Sequence, residues 1–245
     1  MKTNRHRILH VLNYSLPYIS GYCSRSHYIL EAQKSLGMEV AAVTSPRHQK
    51  IIPESPAQEE IGGITYYRTS VSDTRRPSIP QALAALRFMK DFKRRILEVA
   101  GEFKPTIIHA HSPSLCGIPA GGVAREIGIP LVYEVRALWE DAAVDQNRMQ
   151  THSWKYLASR IIETWLLKRA EAVVVLCRPL QGEIGARIGD TAKVHVVPNG
   201  VDTDHFKPAD RNEALARKLG LEGRIVVGFI GTFFRFEGLD DLVKA

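Results

Sequence analysis

A chain of 245 residues, 44% hydrophobic and 24% charged, has the composition of a globular protein with room for one large domain, or one domain and part of another. Its longest apolar runs, such as AVVVL and RIVVGFIG, fall far short of the roughly 20 residues that cross a bilayer. The formal charge of +7 is spread along the chain without basic runs interleaved with aromatics. That favours anionic small molecules or an anionic membrane surface as partners and argues against nucleic acid.

The opening MKTNRHRILHVLNYSLP is broken by His10, Asn13 and Tyr14, so RILHVL reads as a first strand and not as a signal peptide. The loop NYSLPYISGYC leads into a helix that stops at Gly37. MEVAAVTS is a second strand, residues 46–60 an exposed polar loop, and GITYYRTS an added strand. A long helix is expected from Pro80 to Gly101, then the strand TIIHAH, the helical SLCGIPAGGVAREIG and the strand PLVYEV. Another long helix, from about Ser153 to Ala170, precedes the strands EAVVVLC and AKVHVVP. Strands alternating with helices predict a doubly wound parallel sheet over residues 1–197. Such folds place ligands at the carboxyl ends of the strands.

After Pro198-Asn199-Gly200 a second α/β pattern starts. Asp210 and Glu213 form a capping pattern, RIVVGFIG reads as a buried strand, and EGLDDLVKA opens a helix. This beginning cannot bury its faces alone, so residues 198–245 are expected to be a hinge and the truncated start of a second domain.

Cys23, Cys116 and Cys177 have neither disulfide-framework nor zinc-site spacing, which suits a reducing cytoplasm. The first loop holds a single glycine, Gly21, the glycines of GIPAGG (Gly117, Gly121, Gly122) have the wrong spacing, and no G-K-[ST] occurs, which argues against nicotinamide and P-loop chemistry. Gly21 is either a turn residue or the point where an anion meets a helix N-terminus. His109 and His111 share a strand face. A metal pair would need a third ligand that the sequence does not signal. The alternative makes His109 a core histidine and sends His111 into the cleft as a hydrogen-bond donor. In YEVRALWEDAAVD, Glu134 and Arg136 form either a structural ion pair or, with Trp139, Glu140 and Asp141, a sugar-binding wall. The helix after Pro80 has apolar residues beside Arg87, Lys90, Lys93, Arg94 and Arg95, which suits either a core helix or one lying on an anionic bilayer.

Taken together, the glycine loop, HAHSP, VVPNGVDTDHFKP and VVGFIGTFFRFEGLDDLVKA resemble the family 4 glycosyltransferases of the two-domain GT-B fold, over essentially the whole chain. SLPYISGYCSRSHYIL, TSPRHQ and YEVRALWEDAAVD are similar to the narrower group associated with exosortase A and exopolysaccharide loci. The resemblance implies a complete acceptor-side Rossmann-like domain and an incomplete donor domain. It also implies retaining transfer from a nucleotide-diphosphate sugar to a glycan or polyprenyl-diphosphate-linked acceptor. That reaction needs no metal or other cofactor and would run in the cytoplasm, with peripheral contact at the inner face of the membrane. Gly21 matches the first-loop glycine, His111 the cleft (catalytic) histidine, and Asn199, Gly200, Val201 and Asp202 the interdomain turn. The usual Arg and Lys of the diphosphate clamp are replaced by Thr232 and Glu237, leaving Gly231 and Arg235 as donor-phosphate candidates. The family's acidic E-x7-E region would lie beyond residue 245, so this chain alone is expected to be inactive. The alternative is a non-catalytic glycan- or acceptor-binding half that needs a partner chain.

Overall fold

The computed structural model describes residues 6–70, 81–145, 150–151, 153–231, 233 and 237–245. Strand β1 (Arg7–Leu12) is buried at every residue after Arg7, as expected of a strand covered on both faces. Its neighbours are β2 (Glu39–Thr44) and β5 (Ile107–His111), both parallel to it. β4 (Ile64–Arg68) extends the sheet beyond β2, and β3 (Gln58–Ile61) closes that edge antiparallel to β4. On the other side follow β6 (Leu131–Val135), β7 (Ala172–Val175) and β8 (Val194–Val196). The order is β3-β4-β2-β1-β5-β6-β7-β8, so the chain reverses direction across the sheet between β1 and β5. A crevice opens beside the carboxyl ends of those two strands.

Helix α1 (Gly21–Ser35) packs against one face, where Leu30 meets Leu12, Ala42, Ile64 and Tyr66. The larger core lies on the opposite face, beneath α3 (Gln81–Phe103), α4 (Ser114–Ile127), α6 (Trp154–Arg169) and α7 (Arg178–Ile188). α3 turns Phe92, Ile96 and Val99 into this core and leaves Leu83 and Leu86 exposed. α4 approaches closely because it is built from small residues. A Cβ at Gly117 would collide with Leu166 and with the Tyr133 ring, which accounts for a glycine that fits no nucleotide motif.

Three expectations are corrected. Residues 46–60 are not an open loop: α2 (Pro46–Ile51) starts on Ser45, whose hydroxyl accepts from Arg47 N, and buries Pro46 and His48 before β3 begins. The cap of α8 (Glu213–Lys218) is Asn212, not Asp210, with Oδ1 accepting from Leu215 N at 2.9 Å. RIVVGFIG forms no strand. Ile225 is 97% and Ile230 103% exposed, because no described strand lies alongside to complete a hydrogen-bond ladder. The short α9 (Leu239–Lys244) follows it and buries nothing.

Candidate active site

Parallel pairing sets His10 beside His109, and His111 beside Glu134, at the carboxyl ends of β1, β5 and β6. Alternation along each strand turns His10, His109, His111 and Glu134 to the α1 face. Glu134 is 0% exposed, and its Oε1 accepts from Arg25 Nε (2.9 Å) and Arg136 Nε (2.8 Å). Its Oε2 lies 3.3 Å from His109 Nε2. Burial opposes the charge on Glu134, yet His111, His109 and Arg136 together hold its carboxyl well below the ordinary range.

Arg136 is held through all three of its nitrogens: besides Glu134 it gives NH1 to Tyr22 O (2.7 Å) and NH2 to His111 Nδ1 (2.6 Å). An arginine N–H can only donate, so His111 Nδ1 accepts and Nε2 carries the ring hydrogen. That hydrogen goes to His10 Nδ1 (2.9 Å), and His10 Nε2 in turn donates to Gln33 Oε1 (2.7 Å). The neutral forms fit their surroundings. Burial, then the neighbouring His109 and His111, lowers the pKa of His10 well below that of a free imidazole. Burial, only partly opposed by Glu134, lowers that of His111 to about 3.

His10 is the third imidazole that the 109/111 pair lacked in the sequence, and the ligand atoms of the three lie within 4.8 Å of one another. The hydrogen bonds argue against a metal there. Metal on His111 Nε2 would require a hydrogen on Nδ1, the atom that already faces Arg136. The cluster is a proton-ordered polar network. It also corrects the expectation that His111 reaches the cleft, because that ring is 0% exposed and both its nitrogens are engaged.

Arg25 connects this network to the end of the domain. One turn after Gly21 on α1, it donates to Glu134 and also to Val197 O (2.8 Å), Pro198 O (3.0 Å) and Asn199 Oδ1 (3.1 Å). The expected hinge is thus tied to the buried carboxylate by a single guanidinium. Asp202 Oδ1 accepts from Asp204 N and His205 N, folding the segment after Gly200 and Val201 into a turn. Sequence reasoning missed Arg25, whose partners lie more than 100 residues away along the chain.

Gly21 opens α1, where Ser20 accepts from Cys23 N and the first turn has no acidic residue. A Cβ on Gly21 would meet nothing within 4 Å, so no side chain crowds the start of the helix there. Tyr14 packs between Tyr18 and Tyr22, with ring centroids 5.6 and 5.0 Å away, an aromatic wall on the first loop. Trp139, 40% exposed, begins α5 (Trp139–Asp145). Glu140 is corrected as a sugar-binding group, because it is buried in an ion pair with Arg187 (2.8 Å). Asp141 is half-buried, and its Oδ1 accepts from Tyr156 OH (2.8 Å), which ties α5 to α6. Gly231 lies in the exposed segment against the Phe229 ring, Glu237 is exposed, and Thr232 and Arg235 fall outside the described residues.

Comparison with known proteins agrees with this architecture. Residues 20–200 match the family described as the glycosyl transferase 4-like domain. A GDP-mannose-dependent alpha-mannosyltransferase of Mycobacterium tuberculosis is 24% identical over 92% of this chain and 55% of its own length. The sulfoquinovosyl transferase of Arabidopsis thaliana is 26% identical over 82% of this chain and 36% of its own. The sucrose-phosphate synthase of Thermosynechococcus elongatus has the same fold, with a TM-score of 0.65 at 15% identity, over 89% of this chain and 53% of that one. The Anabaena protein HepE, solved with UDP and glucose, superposes with a TM-score of 0.56 at 13% identity over 86% and 50%. The chain spans about half the length of the mannosyltransferases that it matches. It belongs to the glycosyltransferase 4-like family, with the GT-B type of α/β fold.

Proposed function

We propose that this chain is the acceptor-side part of a retaining glycosyltransferase. The enzyme would transfer a sugar from a nucleotide-diphosphate sugar to a glycan or polyprenyl-diphosphate-linked acceptor in exopolysaccharide synthesis. The observation that carries the reading is the match of residues 20–200 to the family, with the polar network standing at the switch point of the sheet. Relatives named for GDP-mannose-dependent transfer, and a fold relative holding UDP and glucose, support a nucleotide sugar as donor.

In this reading the N-terminus of α1 at Gly21 receives a phosphate oxygen, since no side chain crowds Gly21 and no acidic residue competes in the first turn. The tyrosines of the first loop and Trp139 present ring faces to sugars. Glu134, His111 and His10 act from behind the surface: they fix Arg136 and Arg25, and through Arg25 the position of the segment that leads to the donor side. Gly231 and Arg235 remain the candidates for the donor phosphates, and the reaction calls for no resident metal. Residues 1–245 alone do not turn over, and the protein works at the inner face of the cytoplasmic membrane.

The test is nucleoside-diphosphate release from a panel of nucleotide sugars, comparing residues 1–245 with the gene product read to its own stop codon. Turnover by the longer product alone supports the reading; a folded long product inert with every donor refutes it.

A further inference from the structure

A groove of about 910 Å³ runs along the outer face of α4, between α3 and α6. That is within the roughly 300–1,000 Å³ of pockets that take small ligands. It exists because α4 carries Gly121 and Gly122 where the flanking helices carry long side chains, so they stand above it as walls. The floor and sides are apolar, Ile118, Pro119, Leu166 and the Trp165 ring among them. The rim is cationic on balance, with Lys90, Lys93, Arg125 and Arg169 against one carboxylate, Glu171, whose Oε2 accepts from Leu131 N (2.6 Å). Lys90, Arg125 and Arg169 have no carboxylate within ion-pair distance among the described residues, and Arg169 lies 4.0 Å over the Trp165 ring. Lys93 alone is paired, with Glu126 at 2.7 Å.

The wall formed by α6 continues the apolar surface. While Leu166 and Leu167 face the core, Trp154, Leu157, Ile161 and Trp165 follow helical spacing along the outside, and Trp154 and Ile161 are 75% and 68% exposed. A helix with a second, uncovered apolar stripe, a tryptophan at each end of it and cations beside it has the make-up of an interfacial membrane helix.

We infer that this groove and the outer stripe of α6 form a binding site for anionic phospholipid. An acyl chain would lie over the glycine floor, and the headgroup phosphate among Lys90, Arg125 and Arg169. Charge decides between occupants. A two-fold contact between copies of the chain would set the same cationic rim against itself. An anionic bilayer complements it instead. The groove opens beside Pro130, Leu131 and Glu171, at the amino ends of β6 and β7, whereas the network of Glu134 and His111 stands at the carboxyl ends. A lipid held here therefore anchors the protein and does not present an acceptor to the active site. The inference deepens the membrane contact proposed above and is independent of glycosyl transfer.

Co-sedimentation of the 245-residue chain with vesicles tests it, using phosphatidylcholine alone and phosphatidylcholine mixed with phosphatidylglycerol. Binding is expected to the mixed vesicles only. It should weaken at least about tenfold in the Lys90→Glu/Arg169→Glu variant, given the gain per cation near an anionic surface. Leu157→Glu/Ile161→Glu, at exposed positions that leave the fold intact by circular dichroism, should abolish it. Equal binding to both vesicle types, or unchanged binding by either variant, would overturn the site. So would a dimer in solution that buries α6 and binds no vesicles. Vesicle binding lost while the longer gene product still turns over nucleotide sugar would remove this inference alone.

Discussion

Lowering the pH from 7 to 5 should destabilise this domain, through histidines that the fold keeps neutral. His10, His48 and His111 are all essentially unexposed, with burial as the leading cause of their lowered pKa values: well below normal for His10, about 4 for His48 and about 3 for His111. The unfolded chain, with imidazoles near 6.5, takes up protons that the folded chain refuses. Stability is therefore complete above about pH 6.5 and falls as the pH drops from there toward the folded values. Between pH 7 and pH 5 His48 and His111 each remove roughly 2 kcal/mol, or about 4 kcal/mol for the two, and His10 acts in the same direction, against the 5–15 kcal/mol typical of a whole domain. Glu134 adds nothing in this window, since its depressed carboxyl costs stability only below the ordinary carboxylate range. Urea unfolding followed by circular dichroism at the two pH values, at constant ionic strength, measures the difference. A change of less than about 1 kcal/mol would refute the neutral, proton-ordered network.

Three further outcomes follow from individual contacts. Arg25→Ala should cost about 3 kcal/mol by stripping Glu134 of a buried partner, and should speed amide exchange at Val197 and Asn199 in the segment it holds; unchanged exchange there would remove its tie to the hinge. Gly117→Ala should destabilise by about 1–3 kcal/mol through collision with Leu166 and Tyr133. Gly182→Ala, on the exposed side of α7 with nothing within 4 Å, should stabilise by about 0.5–1 kcal/mol, and like signs for these two would contradict the packing. Gly21→Ala should leave urea stability unchanged or slightly raised, and in the longer gene product weaken the phosphate-bearing substrate; unaltered affinity would make Gly21 a turn residue only.

The doubly wound sheet was readable because its strands are short apolar runs separated by helices with clear stops, such as Gly37 after α1 and Gly128 after α4. What was not readable depends on contacts remote in the chain. His10 read only as a break in the opening apolar stretch until the β1–β5 register set it beside His109. Arg25 carried no local signal at all. Glu140 and Asp141 shared the polarity of their neighbours Glu134 and Arg136, but the turn into α5 sends them to Arg187 and Tyr156. RIVVGFIG shows the converse limit. Its apolar pattern is that of a strand, yet a strand needs a partner for its backbone groups, and none is described beside it.

The central claim, that this domain serves nucleotide-sugar transfer, is tested most directly by one measurement. The coding sequence is read past the Ala245 codon to its stop, and that product is assayed for UDP or GDP release from nucleotide sugars. The account predicts a second α/β region carrying an acidic pair, with turnover that residues 1–245 lack. A stop codon directly after Ala245, with a native intact mass matching 245 residues and no release from any donor, would contradict it.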